Sequence, residues 1–465
     1  MTKKTNVVFV LSDDQGLWAA GCYGNPEIRT PHIDRLAATG MRFINFFVAT
    51  PVCSPSRATF MTGRISSQHG VHDWIREGNT GPDAASYLEN ETTYTDILAA
   101  NGWRCGLSGK WHLGNSQLEQ HGFSHWFTHA QGGGPYNDAP MVRDGELVTA
   151  PGYVTHAITD DALAYLHDCA GREEPFYLSV HYTAPHSPWT GHPQEVVDSY
   201  DDCAFDSCPQ EEIHPWAVGH SLSESCLGNR EMLKGYFAAV TAMDADIGRL
   251  VDKIEDMGVR EDTLVVFASD NGFSCGQHGF WGKGNGTYPP NMYENSVKVP
   301  FIISQPGRIA EGVVQEEMVS AYDFMPTLLD WLKLPLPAGD NLPGQSFAPL
   351  LEGEGLGREE VVVYDEYGGT RMVRTREWKY VHRYPDGPHE LYDLVHDPDE
   401  RENLAGAQEQ GARVRALRDK LETWFARYVV ADKDGRDFDV RGAGQMRPIG
   451  AAWNDDGREP FAQRD

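Results

Sequence analysis

Thr5-Asn6-Val7-Val8-Phe9-Val10-Leu11-Ser12-Asp13-Asp14-Gln15 decides the architecture. Up to Leu11 the run is apolar without alternation, the pattern of a strand covered on both faces inside a parallel sheet. It ends at two adjacent carboxylates. In open α/β sheets ligands gather at the carboxyl ends of strands. Carboxylates there are expensive to bury unless a cation neutralises them. Taken alone, Asp13-Asp14 reads more readily as an ordinary acidic loop.

Other stretches repeat the pattern. Thr263 to Ala268 is a second buried strand and ends at Ser269-Asp270-Asn271-Gly272. Pro175 to Val180 leads to His181, and Trp103 to Leu107 leads to Ser108-Gly109-Lys110-Trp111-His112-Leu113-Gly114. Alternation places Lys110 and His112 on one side. Pro300 to Ser304 is a further strand. Helices are expected at 92–100, 157–169, 229–257 and 322–334; in the third, Tyr236, Val240, Met243, Ile247, Leu250 and Ile254 recur at steps of four and three. The fold class is therefore α/β, a large mostly parallel sheet flanked by helices. Beyond Pro335, Pro337, Gly339 and Pro343 the pattern changes. Stretches 361–364 and 378–381 read as antiparallel strands and 408–428 as an amphipathic helix, giving a smaller C-terminal antiparallel sheet plus helix. The expected division is 1–345 catalytic, 346–430 a C-terminal α+β subdomain, and 431–465 a polar tail that is flexible or docks on a partner subunit.

Pro51-Val52-Cys53-Ser54-Pro55-Ser56-Arg57-Ala58-Thr59-Phe60-Met61-Thr62-Gly63-Arg64 predicts a short helix, with Ser54 as N-cap, Pro55 in its first turn and Gly63 as its stop. Cys53 then stands at the positive end of the helix, with Arg57 one turn further in. Such a pocket suits a tetrahedral oxyanion. A buried structural cysteine beside a surface arginine is the plain alternative. Asp13, Asp14, Asp270 and Asn271 offer hard oxygen ligands, which select Ca²⁺ or Mg²⁺ over zinc. Candidate substrate contacts are His72, Asp73, Trp74 and Arg76, next to the nucleophile loop, and His186 in Ala184-Pro185-His186-Ser187-Pro188. Residues 115–154 are rich in Gly, His and aromatics, and Gly132-Gly133-Gly134-Pro135 is a loop on the expected rim. The acidic insert 190–229 is expected to shape specificity.

Cys53-Ser54-Pro55-Ser56-Arg57 with Thr62-Gly63-Arg64, the Thr30-Pro31-His32-Ile33-Asp34 string, the Gly109–Gly114 string, Pro185-His186-Ser187-Pro188 and His278-Gly279-Phe280-Trp281-Gly282-Lys283-Gly284 occur in the order found in type I sulfatases, and the chain resembles that family. Tyr293-Glu294 is followed by Asn295-Ser296, where the family usually carries glycines. The resemblance implies that Cys53 is converted to formylglycine by a formylglycine-generating enzyme, and that the converted residue also contacts the metal, Ca²⁺ in preference to Mg²⁺. One hydroxyl of the hydrated aldehyde would attack sulfur, and the other would collapse to expel sulfate. Arg57, Lys110 and Lys283 would screen the sulfate's charge. Asp270 would help deprotonate the nucleophile and His112 would assist the collapse. His181 and Lys283 would contact sulfate and protonate the leaving alcohol. The expected reaction is hydrolysis of a sulfate monoester, on a saccharide first and a small molecule second. A phosphodiesterase or phosphonate monoester hydrolase of the same superfamily, and a non-catalytic binder of sulfated ligands with Cys53 unconverted, are the alternatives. Asn271 favours sulfatase over the diesterase-like relatives, which tend to carry His there.

Composition limits the partners. With 68 acidic and 39 basic residues the net charge is −29, which argues against binding nucleic acid or an anionic membrane. An anionic substrate then needs a local basic pocket. Eight scattered cysteines form no zinc-like or disulfide-like pattern, and no secretory leader precedes Val7, so a cytoplasmic protein is expected; a trimmed leader would make it periplasmic or secreted. A homo-oligomer stays open.

Overall fold

Asn6–Ser12 is buried at every position because it runs parallel between Phe176–His181 and Thr263–Ser269. In the computed structural model, which describes residues 4–337, 339, 341–356, 362–450 and 458–464, this strand is central in a ten-stranded sheet. The order is Val313–Gln315, Met41–Phe43, Phe301–Ser304, Thr263–Ser269, Asn6–Ser12, Phe176–His181, Arg104–Gly109, Phe123–His129, Asn137–Arg143, Glu146–Tyr153. The side-chain period of two sends Val7, Phe9 and Leu11 to one face and Val8 and Val10 to the other. The first face packs with Ala58, Phe60, Leu98, Phe324 and Leu328, from helices Cys53–Thr62, Tyr94–Ala100 and Phe324–Trp331. The second packs with Ile33, Leu36, Ile158, Met243, Ile247 and Leu250, from Pro31–Ala38, Val154–Cys169 and Arg230–Asp256. Helices thus cover both faces, as expected for α/β.

The sheet is more mixed than the sequence suggests. Phe301–Ser304 is antiparallel to both its neighbours. The stretch 115–154, whose composition of Gly, His and aromatics suggests no strand, holds three, and two of them form a hairpin. Its turn is Asp144-Gly145, both residues at positive φ (52° and 79°), the conformation that Asp-Gly favours between strands. Gly132–Pro135 does lie outside regular structure.

The C-terminal subdomain is a four-stranded antiparallel sheet of Val363–Tyr367, Thr370–Arg374, Trp378–Arg383 and Glu390–Asp393. Leu417, Leu421 and Phe425 of Gly411–Tyr428 pack on its Val373, Tyr380 and Leu391. Val361, where the sequence places the start of the first of these strands, lies outside the described residues, as do residues 451–457 of the tail.

One helix start differs from expectation, and a second is capped by a residue from a distant helix. Ser54 does not cap its helix; Val52 is the N-cap, and the Ser54 Oγ accepts the Ile75 N–H at 3.0 Å. Thr30 precedes Pro31–Ala38 but makes no side-chain cap. The Asp244 carboxylate of another helix accepts the His32 and Ile33 N–H groups at 3.1 and 2.7 Å instead.

The described part of the tail was expected to be flexible or to dock on another subunit; it packs on this chain's own catalytic domain. Gln445 is fully buried. Its N–H donates to Trp74 O (2.7 Å), its carbonyl accepts from Arg76 N (2.9 Å), its Oε1 accepts from His72 N (2.9 Å), and its Nε2 donates to Gly70 O (3.0 Å). Residues 458–464 then return beside it, with Gln445 bridging Ile75 on one side and Phe461 on the other. Gln445→Ala strips buried backbone groups of their partners. It should cost about 1–3 kcal/mol of stability in a denaturant titration; an unchanged midpoint would mean that the tail is not anchored here.

Candidate active site

Register brings the acidic strand ends together. Ser12 pairs with Ser269 on adjacent parallel strands, so Asp13-Asp14 and Asp270-Asn271 emerge side by side. Asp13, Asp14 and Asp270 each offer a carboxylate oxygen within 4.8 Å of the others. All three are buried, as is Asn271. The Asn271 amide donates to Asp14 Oδ1 at 2.7 Å, and its own Oδ1 is buried with no hydrogen-bond partner. An orphaned oxygen beside three carboxylates is a donor set that fits a hard divalent cation.

Charge balance at this point is tight. Burial alone would raise the Asp13 carboxyl, but Lys110, His186, Arg57 and Lys283 outweigh it and hold Asp13 well below the usual carboxylate range. Burial and the neighbouring Asp13 push Asp270 up to about 6, against the pull of Arg57. The Lys110 ammonium binds Asp13 Oδ2 and the Lys283 ammonium binds Asp14 Oδ1. Arg57 Nε and Nη2 hold Asp270 Oδ2 at 2.9 and 2.8 Å, and Nη1 donates to Lys110 O at 3.1 Å.

Cys53 stands at the helix N-terminus, as expected, but as the first residue of helix Cys53–Thr62 and not ahead of its cap, and Gly63 ends that helix with φ 67°. Its Sγ, standing where the oxygens of a converted residue would be, lies 3.4 Å from Asp13 Oδ1 and 2.7 Å from Lys283 Nζ. Burial and Asp13 push the thiol up to about 12. At neutral pH the unconverted side chain is therefore a protonated, weak nucleophile.

Above these groups opens a cavity of about 1040 Å³ whose wall includes Asp14, Cys53, His112, His186 and Lys283. His112 Nε2 faces Ile75 O at 2.9 Å, its Nδ1 is buried without a partner, and burial lowers the basicity of the ring. Gly132 lies against that ring; a Cβ there would sit 2.2 Å from Nε2. Arg57, Lys110, Asp13, Asp270 and Asn271 are packed beneath and are not on the cavity wall.

The histidine assignment needs correction. His181, expected to touch sulfate, is off the cavity wall: its Nδ1 faces Lys110 O at 3.2 Å and its ring meets Phe9 edge-on in the core. Strand pairing fixes it there, and Gly109 packs so closely that a Cβ would lie 1.9 Å from His181 O. His186, five residues on, takes the position at the cavity. Its Nε2 is 3.9 Å from Asp14 Oδ2, and a ring nitrogen lies within 4.8 Å of ligand atoms of Asp13 and Cys53.

Of the other substrate candidates, Trp74 and Arg76 line the cavity and His72 and Asp73 do not. His72 is buried with Nε2 facing Lys433 O at 2.9 Å. Asp73 accepts from Tyr367 Oη (2.6 Å) and Gly444 N (3.1 Å). Both are anchors for the tail. Sequence reasoning missed two parts of the wall: Pro215, Trp216 and His220 of the acidic insert, and Gly442, Ala443, Gln463 and Arg464 of the tail. The insert carried a general expectation of a specificity role, whereas nothing in the tail's pattern announced one.

Comparison with known proteins agrees with this geometry. The family model named Sulfatase matches residues 5–334, and one described as N-sulphoglucosamine sulphohydrolase, C-terminal, matches 276–426. An N-acetylglucosamine-6-O-sulfatase of Bacteroides thetaiotaomicron is 28% identical over 94% of this chain and 89% of its own length. Human arylsulfatase A is 31% identical over 87% of this chain and 84% of its own. A solved structure in complex with its substrate D-glucosamine-2-N,6-O-disulfate superposes with a TM-score of 0.79 at 27% identity, covering 93% of this chain and 99% of that one. Sulfatases of this kind use a formylglycine and a divalent metal ion, and the cysteine and oxygen donors for both are present here. With the family match over most of the catalytic domain and the acidic strand tips meeting at Cys53, the chain belongs to the sulfatase family, the sulfuric ester hydrolases.

Proposed function

We propose that this chain removes a sulfate group from a saccharide, with Ca²⁺ as its metal and residue 53 as formylglycine. The observation that carries the reading is the meeting of Asp13, Asp14, Asp270 and the unpartnered Asn271 Oδ1 beside residue 53, at the foot of one large cavity. These four residues would hold the cation, which supplies fixed positive charge for the transferring group. Oxygen-only protein donors with three carboxylates favour Ca²⁺, which accepts many oxygen ligands in flexible geometry. The formylglycine supplies a hydrated aldehyde as nucleophile.

The chain's own residues do the rest. Lys283, between Asp14 and residue 53, places an ammonium where sulfate oxygens would lie, and His186 faces the same space. Arg57 clamps Asp270 through two nitrogens and so fixes an acid beside the nucleophile. His112 keeps a neutral ring with a free Nδ1, suited to taking up a proton during the collapse that releases sulfate. The saccharide reading draws on the cavity's size, at the upper end of what encloses a drug-sized ligand (about 300–1,000 Å³). It draws too on Trp74, Trp216 and Tyr288 in the wall and on the sugar sulfates named for the relatives.

The test is release of sulfate from a panel of defined sulfated saccharides by protein whose conversion at residue 53 has been verified by mass. Desulfation of none of them, with aryl sulfates still cleaved, would refute the saccharide reading. Within the site, His186→Ala should lower kcat/KM by about 10²–10³-fold, and His181→Ala by less than about tenfold in protein of matched folded fraction. The reverse order would return the sulfate contact to His181.

A further inference from the structure

We propose that the C-terminal tail builds a second anion subsite at the active cavity, where Arg464 and Arg76 bind a negatively charged substituent other than the sulfate being removed. The proposal rests on the saccharide reading above and names a property of that substrate: it carries at least two anionic groups, the second a sulfate or a carboxylate.

The two arginines are brought together by a small patch of backbone. Ile75, Gln445 and Phe461 bridge side by side, Ala462 N bonds Gly444 O at 2.9 Å, and Met446 N bonds Pro460 O at 2.8 Å. Arg76 directly follows Ile75, and Arg464 lies three residues beyond Phe461. Both side chains then turn onto the same tail segment. Arg76 Nη1 donates to Ala443 O at 3.4 Å, while Arg464 Nε donates to Arg441 O. Arg464 Nη2 reaches Asn285 O at 3.0 Å and Nη1 meets the His220 ring at 2.6 Å. Gly442 and Gly444 allow this crowding: a Cβ on Gly442 would lie 2.6 Å from Asn285 Cβ, and one on Gly444 would lie 2.7 Å from Arg76 Cβ. The tail is thus wedged between the Trp74–Arg76 segment and the Asn285 loop, and each holds one arginine at the cavity wall.

The charge is uncompensated. Among the described residues, no carboxylate forms an ion pair with either arginine; their polar partners are carbonyls and an imidazole. Asp73 acts on Arg464 from within the fold, but its oxygens already accept from Tyr367, Trp74 and Gly444. Asp14 is the only carboxylate among the described residues lining the cavity, and Lys283 is bound to it. In a chain of net charge −29, a cavity whose outer wall carries two unpaired guanidinium groups runs against the overall field. Guanidinium groups are suited to planar, bidentate capture of carboxylate and sulfate oxygens. Partial burial of Arg464, offset only in part by the field of Asp73, makes its charged form less favourable, a cost that an entering anion would relieve.

The experiment compares saccharide pairs that share the scissile ester and differ in one further anionic group, for example D-glucosamine 6-O-sulfate against D-glucosamine 2-N,6-O-disulfate, and sulfated disaccharides with and without a uronate. Full-length, converted, metal-loaded protein is used throughout. For the pairs that are turned over, the doubly charged member should have the higher kcat/KM by at least about tenfold. Arg464→Gln and Arg76→Ala should each pull that ratio toward one, chiefly by raising KM for the doubly charged member, and Arg464→Lys should restore part of it. Arg76 is exposed, so its variant guards against a folding failure at Arg464. A wild-type ratio near one, or variants that depress both members equally, overturns the subsite. Failure of the underlying reading looks different: sulfate would then be released from aryl esters and from no saccharide.

Discussion

Cys53→Ala protein, produced beside a formylglycine-generating enzyme, should release sulfate at least about 10⁴-fold more slowly than the wild-type chain. The expectation follows from what residue 53 is and where it stands. As a thiol it is buried beside Asp13, its pKa is pushed up to about 12, and it is almost wholly protonated at pH 7. A thiolate that did attack sulfur would leave an ester with no second hydroxyl to expel the sulfate. A hydrated aldehyde has that second hydroxyl. Cys53→Ser separates the two steps. Its hydroxyl occupies the same place, 3.4 Å from Asp13 and 2.7 Å from Lys283 if it follows Sγ. It should therefore release alcohol once per protein and then stop. Mass analysis of the wild-type peptide should show loss of one sulfur and two hydrogens with gain of one oxygen. Sustained turnover by either variant would remove residue 53 from the chemistry.

Asp13→Asn should lower kcat/KM by at least about 10³-fold and abolish the response to added Ca²⁺. Asp13 touches every part of the site: its oxygens face Lys110, Arg57 and Cys53, and it belongs to the carboxylate trio with Asp14 and Asp270. The substitution removes one charge from the cation's donor set. It also leaves Lys110, which is fully buried, without its ion-pair partner, a loss of about 3–5 kcal/mol for a buried pair. Stability and activity must therefore be measured together. Wild-type protein stripped by a chelator should lose turnover and regain it with Ca²⁺ while Asp13→Asn, folded at the assay temperature, does not. A chelated wild-type protein that keeps full activity would contradict the account.

The core of this site was legible because strand, carboxylate and strand end are consecutive in sequence. Val7 to Leu11 announces a buried strand and Asp13-Asp14 must sit at its tip; the same holds for Thr263 to Ala268 and Asp270-Asn271. Position at strand ends does not say which of two nearby histidines reaches the cavity. The resemblance puts the sulfate contact at His181, which stands at the strand end, but pairing with Leu11 and Gly109 holds it in the core. The hairpin at Asp144-Gly145 had a local signal that composition obscured. The cap on Pro31–Ala38 had none, because Asp244 lies 210 residues or more away along the chain. The tail escaped for a related reason. It adds almost no apolar periodicity, and it is fixed by scattered polar contacts, among them those of the buried Gln445, His72 and Asp73, and by backbone bonds to residues 74–76. Long-range polar anchoring of this kind leaves no period to detect.

The most direct measurement is anomalous diffraction from crystals of converted protein grown with Ca²⁺. The account predicts one peak bounded by Asp13, Asp14, Asp270 and Asn271 Oδ1 and adjoining the side chain of residue 53. An ion bound elsewhere, with Lys110 and Lys283 still filling the space between those carboxylates in protein that turns over sulfate esters, would contradict it.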